Sequence, residues 1–293
     1  MTDRAMIDIA SPQLSAAINP FGAELTHLRD ADGRELMTDA DPAYWTGHAP
    51  VLFPIVGELH DGTYRVNGRE YALSRHGFAR RSLFEVVEHE ADRAVFQLID
   101  SQETRAVYPF AFQLRIEFRL DGATLLVTAT IANRSDGVMP ASFGFHPAFA
   151  WPLPYGELRE DHRITFDVAE PDPLRGLSQH GLVTDTPRAS PLDGHELLLR
   201  DSLFEADALI WQGVESETVH YGAAQGPVLE ISFPDTPNLG IWTKPGARYV
   251  CVEPWHGIAD PVGFTGDLFD KPDIMTIAPG AERQCSFSVT LMG

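Results

Sequence analysis

The chain has 293 residues, 44% of them hydrophobic and 22% charged, which is typical of a globular protein and argues against a long disordered tract. Its 42 acidic residues outnumber its 22 basic residues and give a formal net charge of −20. This balance argues against nucleic acid and membrane partners, so we expect a small neutral ligand.

The two cysteines and the N-terminus indicate the compartment. Cys251 and Cys285 lie within alternating apolar patterns and in no CxxC spacing, so we predict two buried thiols in a reducing compartment. The N-terminus lacks an apolar core long enough for a signal peptide, and no run of 18 consecutive apolar residues occurs. We expect a cytoplasmic protein, either a monomer or a homodimer.

Apolar and polar residues alternate along much of the chain, which is the pattern of a strand with one face in a core and the other toward water. In Gln284 to Leu291 (QCSFSVTL), every odd position is apolar. The alternating runs are, in chain order, residues 113–120, 124–132, 163–168, 228–233, 248–252 and 284–291. Each of these runs predicts a strand.

Turn signals separate these runs. Asp32-Gly33, Asn67-Gly68 and Asp121-Gly122 each stand between two strand-like segments, and such dipeptides supply the positive φ angles of tight hairpin turns. Helical patterning is limited to one short turn at Asp41 to Trp45. The longest irregular stretch, Glu170 to Asp201, carries enough apolar residues to be a packed excursion rather than a linker.

Many short antiparallel strands without helices form either a sandwich or a closed barrel. A chain of 293 residues can bury one large core. We predict a single all-β domain over residues 1–293, a large antiparallel β-sandwich with very little helix.

Four segments interrupt the alternation by placing polar residues among aromatics, glycines and prolines. They are Ser74 to Arg81 (SRHGFARR), Ser142 to Pro152 (SFGFHPAFAWP), Leu203 to Trp211 (LFEADALIW) and Val252 to Asp260 (VEPWHGIAD). Convergent polar groups in an apolar setting are typical of a small-molecule site.

His146 and Glu253 stand out within these segments. His146 follows Phe145 and precedes Pro147, and a histidine in such an apolar run is either a satisfied core residue or a positioned proton donor. Glu253 precedes Pro254, which we interpret as a strand end. A solvated carboxylate is the alternative there, but the neighbouring aromatic Trp255 favours a sugar site, where a ring stacks on CH groups and a charge binds hydroxyls.

Three further polar residues are candidates for binding. His76 and Arg80 could serve as a hydrogen-bond partner and as a fixed fork for oxygen atoms, whereas Arg81 is expected to face water. Asp207 lies between two alanines and either caps a buried backbone group or accepts bonds from ligand hydroxyls.

The segments LFPIVGELHDGTYRVNG, HGFAR, FGFHPAF, LFEADALI and VEPWHGIAD, in this order, resemble the aldose 1-epimerase (galactose mutarotase-like) family, particularly its LacX-like branch. The resemblance implies a twisted antiparallel supersandwich that binds a sugar without cofactor or metal. It implies that His146 is the general acid, Glu253 the general base, His76 a sugar-positioning histidine and Asp207 a hydroxyl-binding carboxylate.

One departure from the family pattern concerns the segment after LFP. The family often carries an arginine there, where this chain has Gly57-Glu58. We hypothesise that Arg80 takes the place of that arginine, and the sugar preference of the family does not transfer directly.

The proposed chemistry requires an acid and a base together, because ring opening removes a proton from the C1 hydroxyl and gives one to the ring oxygen. Burial disfavours a charged imidazole, so His146 should have a carboxylate partner such as Glu253 or Asp207. We expect its ring to be packed among four aromatic residues. They are Phe143, Phe145, Phe149 and Trp151.

Three alternatives remain open. The first is a non-catalytic carbohydrate-binding or sugar-sensing protein that keeps the cleft. The second is a hexose-6-phosphate 1-epimerase in which Arg80 and Arg81 contact the phosphate. The third is a metal-dependent β-barrel, against which the absence of a His-x-His pair argues; its ligands would be His76, His146, Glu253 and His256.

Overall fold

The computed structural model describes residues 5–170 and 173–293. The strands are β1 (Ile7–Ala10), β2 (Leu14–Asn19), β3 (Glu24–Asp30), β4 (Val51–Leu52), β5 (Thr63–Val66), β6 (Arg69–Ala72), β7 (Glu85–His89), β8 (Arg93–Ile99), β9 (Phe112–Asp121), β10 (Thr124–Asn133), β11 (Met139–Ala141), β12 (Phe143–Phe145), β13 (Ala148–Ala150), β14 (Arg163–Phe166), β15 (Leu174–Leu177), β16 (Val183–Arg188), β17 (Glu196–Leu198), β18 (Leu209–Gln212), β19 (Thr218–Gly222), β20 (Val228–Ser232), β21 (Asn238–Trp242), β22 (Tyr249–His256), β23 (Met275–Ile277) and β24 (Glu282–Met292). Helical structure comprises the α-helix α1 (Gln102–Val107) and the short 3-10 turns His60–Gly62, Ala79–Arg81, Arg159–Asp161, Asp201–Phe204 and Leu268–Asp270.

The prediction of an all-β protein is confirmed. All six alternating runs fall largely within strands, namely β9, β10, β14, β20, β22 and β24. In β24 the residues alternate between buried and partly exposed from Cys285 to Thr290, as a strand with one solvated face requires. No helix in the described parts of the chain is long and apolar enough to span a membrane.

The three predicted turns are present. Asn67 and Gly68 have φ angles of 51° and 78° and join β5 to β6, whose Val66 and Arg69 are paired. The turn predicted at Asp121-Gly122 is shifted by one residue, because Asp121 itself pairs with Thr124 across β9 and β10. After Asp32-Gly33, the chain returns to β3 through a single antiparallel bridge.

Two large antiparallel sheets enclose the core. One has nine strands in the order β17-β14-β19-β20-β24-β10-β9-β8-β7, and the other has six strands, with β18-β21-β22-β12-β4 in order and β13 beside β22. Phe145 of the smaller sheet contacts Phe287 of the larger one, with ring centroids 4.7 Å apart. The apolar faces of the two sheets therefore pack together as a sandwich.

One prediction needs correction, and the predicted short turn at Asp41 to Trp45 is present. The stretch Glu170 to Asp201 is not irregular throughout its described part, because it contains the hairpin β15–β16 and the strand β17. The turn at Asp41 to Trp45 is a single hydrogen-bonded turn, in which the Trp45 N–H donates to the Asp41 carbonyl at 3.0 Å. The α-helix occurs instead at α1, where Ser101 provides the N-cap.

Candidate active site

A cleft of about 580 Å³ lies over the face of the six-stranded sheet that points away from the main core. In β22, Val250 and Val252 pack into that core, whereas Glu253 and Trp255 line the cleft. This division follows from the two-residue period of a strand. The cleft also receives side chains from the loops before β4 and β7 and from the hairpin β15–β16.

Glu253 lies in the middle of β22, not at a strand end. On one side, β22 pairs first with β13, up to Cys251, and then with β12, from Trp255 onward. Between these two partners the neighbouring chain leaves the sheet at His146 and Pro147, so no ladder hydrogen bond is required of Pro254 there. The Val252 N–H donates to the Pro147 carbonyl on this side, and alternate N–H groups of a strand share a side. The missing N–H of Pro254 therefore faces the interruption.

His146 occupies this same interruption and reaches Glu253. The distance between His146 Nε2 and Glu253 Oε2 is 3.3 Å, and the exposed fractions of the two side chains are 10% and 3%. Both line the cleft. A short turn between two strands thus places an imidazole directly over a carboxylate of the adjoining strand.

The aromatic surroundings of His146 differ from the expected ones. Its ring stacks on Trp45 at a centroid distance of 5.0 Å and meets Trp242 edge-on at 5.9 Å. The four aromatics that the sequence suggested are buried in the main core and make none of the ring contacts found for His146 in the described chain. They are Phe143, Phe145, Phe149 and Trp151. The strand alternation explains this, because neighbours in sequence point to the opposite face of the sheet.

Burial dominates the electrostatics of the pair. Desolvation raises the pKa of Glu253 well above its ordinary value, an effect that the positive charge of Arg75 opposes. Desolvation lowers the pKa of His146 to about 3. Both pKa shifts arise because a single buried charge is costly. The 3.3 Å contact allows the two groups to share one proton, so that the pair carries no net charge.

His76 approaches the pair from the loop before β7. It is buried, and its ring centroid lies 5.9 Å from that of His146. Its Nδ1 accepts a hydrogen bond from the Gly57 N–H at 3.1 Å. A neutral imidazole that accepts at Nδ1 carries its proton on Nε2, and burial keeps His76 neutral because it lowers the pKa well below the ordinary value.

Trp255 forms an aromatic wall of the cleft and depends on two glycines. A Cβ atom on Gly144 would lie 2.5 Å from the indole Cδ1, and one on Gly240 would lie 2.5 Å from Cη2. Gly144 and Gly240 are on the strands that flank β22. The indole therefore lies flat across the sheet, where only glycine leaves room for it.

Arg80 lines the cleft beside Arg75, a residue that no sequence pattern singles out. Arg80 Nη2 donates to the Arg75 carbonyl at 2.9 Å, and its buried Nε has no partner in the described chain. Burial and the charges of Arg81 and Arg75 lower the pKa of Arg80. Arg81 is exposed, as predicted.

Asp207 has the first of its two expected roles, because it caps a backbone N–H, and binding of a ligand hydroxyl stays a prediction. It lines the cleft, and its Oδ1 accepts a hydrogen bond from the Ala208 N–H at 2.8 Å. Its φ of 69° lies in the left-handed region that aspartate tolerates better than most residues. One carboxylate oxygen remains available for a ligand.

Glu58 stands beside the cleft rather than in it. Gly57 lines the cleft, whereas the Glu58 carbonyl accepts a hydrogen bond from the Asp260 N–H at 2.8 Å. The charge of Glu58 acts favourably on Arg80. The side chain of Glu58 is therefore not among those that line the cleft.

The four-ligand metal site considered from the sequence is not assembled. His256 points to the face of β22 opposite Glu253, because the two are separated by three residues along a strand. In the described parts of the chain, the group of potential ligands within 4.8 Å of one another is instead His146, Cys251 and Glu253. Both Cys251 and Cys285 are free and buried, as predicted.

The comparisons with known proteins agree with this architecture. The family model described as aldose 1-epimerase matches residues 5–261. The chain is 30% identical over 296 aligned positions to the chromosomal protein LacX of Lactococcus lactis subsp. lactis, covering 98% of this chain and 99% of LacX.

Two solved structures share the fold across almost the whole chain. A galactose mutarotase related enzyme from Lactobacillus acidophilus superposes with a TM-score of 0.90 at 34% identity, covering 99% of this chain and 98% of that one. A galactose mutarotase-like protein from Lactobacillus casei ATCC 334 gives 0.92 at 28% identity, with 98% and 100% covered. The fold is that of the galactose mutarotase-like proteins. This chain belongs to the aldose 1-epimerase family.

Proposed function

We propose that the protein is an aldose 1-epimerase that interconverts the α and β anomers of an aldose. The observation that carries this proposal is the 3.3 Å contact between His146 Nε2 and Glu253 Oε2 at the floor of an aromatic-lined cleft. Anomer exchange needs one proton acceptor and one proton donor that reach neighbouring oxygens of the sugar. The pair supplies both from one place.

Burial favours the neutral form of the pair, in which Glu253 holds the shared proton, so this proton first passes across the 3.3 Å contact to His146 Nε2 and leaves Glu253 ionised. The C1 hydroxyl and the ring oxygen are bonded to the same carbon, so in the complex they take the place of the direct contact between the two side chains. Glu253 removes the proton of the C1 hydroxyl, and His146 gives its proton to the ring oxygen as the bond from C1 to that oxygen breaks. The open aldehyde rotates about the bond between C1 and C2, and the reverse transfers close the ring on the other face.

Burial of the pair suits this exchange. One proton leaves the sugar for Glu253 and another reaches the sugar from His146, so the pair passes from two opposite charges to two neutral groups. Its net charge stays at zero throughout, and no uncompensated charge forms in the desolvated floor. Trp45, which stacks on the imidazole, holds the ring in one orientation for the transfer.

The other cleft residues have roles in binding. Trp255 offers an aromatic face for the CH groups of a pyranose. The proton on His76 Nε2 can be donated to a sugar oxygen, and Asp207 can accept from a hydroxyl. Arg80 is proposed to contribute a further contact in place of the missing arginine near Glu58.

The test is an NMR measurement of α/β exchange over a panel of free and phosphorylated aldoses. Glu253→Gln should lower the exchange rate at saturating sugar by at least about a hundredfold, with a much smaller change in the sugar dissociation constant. The exposed Glu217→Gln is the matched control. Activity retained in Glu253→Gln would contradict the mechanism, and binding of sugar by the wild type without faster exchange would identify a non-catalytic sugar-binding protein.

A phosphorylated aldose is a second candidate substrate, favoured by the positive charge at one side of the cleft. Arg75, Arg80 and Lys244 line the cleft of a chain with a net charge of −20. The guanidinium of Arg75 makes no hydrogen bond or ion pair to described residues, and burial, together with repulsion from Arg81 and Arg75, lowers the pKa of Arg80. An anionic group would relieve this repulsion and accept hydrogen bonds from the unpaired guanidinium of Arg75. The exposed Arg81 lies outside the cleft lining, contrary to the expectation that it contacts a phosphate.

A further inference from the structure

We propose that the floor of the cleft is a binding site for Zn²⁺ or a similar thiophilic divalent cation, made of His146, Cys251 and Glu253. The three ligand atoms are the imidazole nitrogen, Sγ and a carboxylate oxygen, and all lie within 4.8 Å of one another. Cys251 and Glu253 are two residues apart on β22 and so share its face, while His146 joins them from the turn between β12 and β13.

The spacing of the imidazole nitrogen and the carboxylate oxygen matches two ligands of a tetrahedral ion. Nitrogen and oxygen ligands at about 2.0–2.1 Å from a tetrahedral Zn²⁺ lie about 3.3 Å from each other, and His146 Nε2 is 3.3 Å from Glu253 Oε2. Cys251 Sγ would have to move closer by up to about 1.3 Å, because a tetrahedral edge that includes sulfur is about 3.5 Å and the ligand atoms lie within 4.8 Å of one another.

The chemistry of the ligands selects the kind of cation. Sulfur and imidazole favour zinc and its neighbours over magnesium and calcium, which prefer oxygen ligands. A neutral imidazole, a thiolate and a carboxylate carry a total charge of −2, so a divalent ion gives a neutral centre in a desolvated place. On binding, the thiol proton of Cys251 leaves to water and the ion takes its position.

The fourth coordination position faces the ligand space. His146 and Glu253 both line the cleft, whereas Cys251 is buried behind them among Ala148, Ala247 and Tyr249. The ion would therefore bind with three protein ligands and one open position for water or a sugar hydroxyl. It would also occupy the lone pairs that the proton transfer needs, so the cation is an inhibitor, and the inhibition rests on the proposed function.

Binding is tested by titrating the untagged protein with ZnCl₂ in a calorimeter, and with CoCl₂ in a spectrophotometer. We expect one ion per chain and a thiolate-to-Co²⁺ charge-transfer band in the near ultraviolet. Cys251→Ala should abolish the band and weaken Zn²⁺ binding by at least about tenfold. Cys285→Ala is the matched control, because it removes an equally buried free thiol on β24, and it should change neither result.

The same variants are then assayed for α/β exchange with increasing ZnCl₂. Wild type and Cys285→Ala should lose activity with rising Zn²⁺, and Cys251→Ala should require at least about tenfold more Zn²⁺. A stoichiometric site that persists in Cys251→Ala, or no binding to the wild type, would overturn the site. If Cys251→Ala does not fold, Cys251→Ser replaces it. A wild type without exchange activity would disprove the proposed function while the calorimetric and Co²⁺ results still decide the metal site.

Discussion

His76 and Gly57 hold each other through two crossed hydrogen bonds. The Gly57 N–H donates to His76 Nδ1 at 3.1 Å, and the His76 N–H donates to the Gly57 carbonyl at 2.9 Å. The first bond fixes the tautomer of the ring, and the second fixes the backbone that carries it. The arrangement turns a buried histidine into a directed donor at the edge of the cleft.

We expect His76→Asn to lower kcat/KM for a bound aldose by about tenfold, which corresponds to about 1.4 kcal/mol for one lost hydrogen bond. Asparagine is chosen because His76 has a φ of 66°, a conformation that asparagine adopts more readily than alanine. Its shorter side chain cannot reach the position of Nε2. The result is measured by NMR exchange, and unchanged kcat/KM would remove His76 from the binding site.

Gly57→Ala should destabilise the fold by more than about 2 kcal/mol. Its φ is +73°, and an added Cβ would lie 2.5 Å from the Ala259 Cβ. Gly68→Ala is the matched control, because its φ is +78° with no atom within 4 Å of the new Cβ, and only the backbone cost of about 1 kcal/mol should remain. Urea unfolding compares them, and equal losses would show that the contact with Ala259 is unimportant.

The sandwich could be predicted because alternation records the two faces of a strand directly. In β24 and β9 one face is in the core and the other is in water, so apolar residues mark the buried face and polar residues mark the solvated one. The position of Glu253 could not be predicted in the same way. Pro254 signals a strand end locally, and only the interruption between β12 and β13 allows the strand to continue through it.

The surroundings of His146 depend on contacts that are distant in sequence. Trp45 stacks on it from about a hundred residues earlier in the chain, and no local pattern reports such a contact. Arg75 was missed because a charged residue in a loop has no periodicity that shows which way it points. By contrast, α1 had a local signal that was overlooked, since Ser101 and Thr104 form a capping box.

The two arginines of the cleft should have separable effects. Arg75→Ala should weaken binding of a hexose 6-phosphate more than that of the free hexose, because its guanidinium has no protein partner to retain. Arg80→Ala should weaken the binding of both sugars by about 1.5–3 kcal/mol, the scale of a hydrogen bond to a charged group. Both are affected because the Arg80 side chain also donates a hydrogen bond to the Arg75 carbonyl. Arg81→Ala is the exposed control. Calorimetric titration measures the dissociation constants of both sugars. Equal losses of affinity for both sugars in Arg75→Ala would exclude a phosphate contact.

Glu58→Arg is a complementary test of the departure at this position. Because Gly57 and not Glu58 lines the cleft, the new arginine should leave sugar binding unchanged or strengthen it slightly. The measurement is the sugar dissociation constant in the same calorimeter. A large loss of affinity in a folded Glu58→Arg protein would show that the negative charge beside Arg80 is required.

His146→Asn and Glu253→Gln should be strongly non-additive in activity. Each single change should reduce anomer exchange by about a hundredfold or more, because the remaining residue can either accept or donate a proton but the reaction needs both transfers. The double variant should lose much less than the product of the two losses, since both residues serve one coupled step. Exchange rates at saturating sugar give the result. Multiplicative losses would indicate two independent roles.

Acid should destabilise the protein through its buried histidines. Burial lowers the pKa of His76 well below the ordinary value and that of His146 to about 3. Between the lowered folded pKa and the unfolded value near 6.5, the unfolded chain binds more protons, so the free energy of unfolding falls as pH drops through that window. The stabilising contribution is complete above about pH 6.5.

We expect His76→Asn to make the free energy of unfolding less sensitive to acid. One such group contributes up to about 1.4 kcal/mol per pH unit within the window, and the variant removes it. Urea unfolding of wild type and His76→Asn at about pH 7 and about pH 5.5 measures the change. His195→Asn alters an exposed histidine and should keep the wild-type slope. If His76→Asn loses as much stability on acidification as wild type, His76 is not the buried neutral group that its contacts with Gly57 indicate.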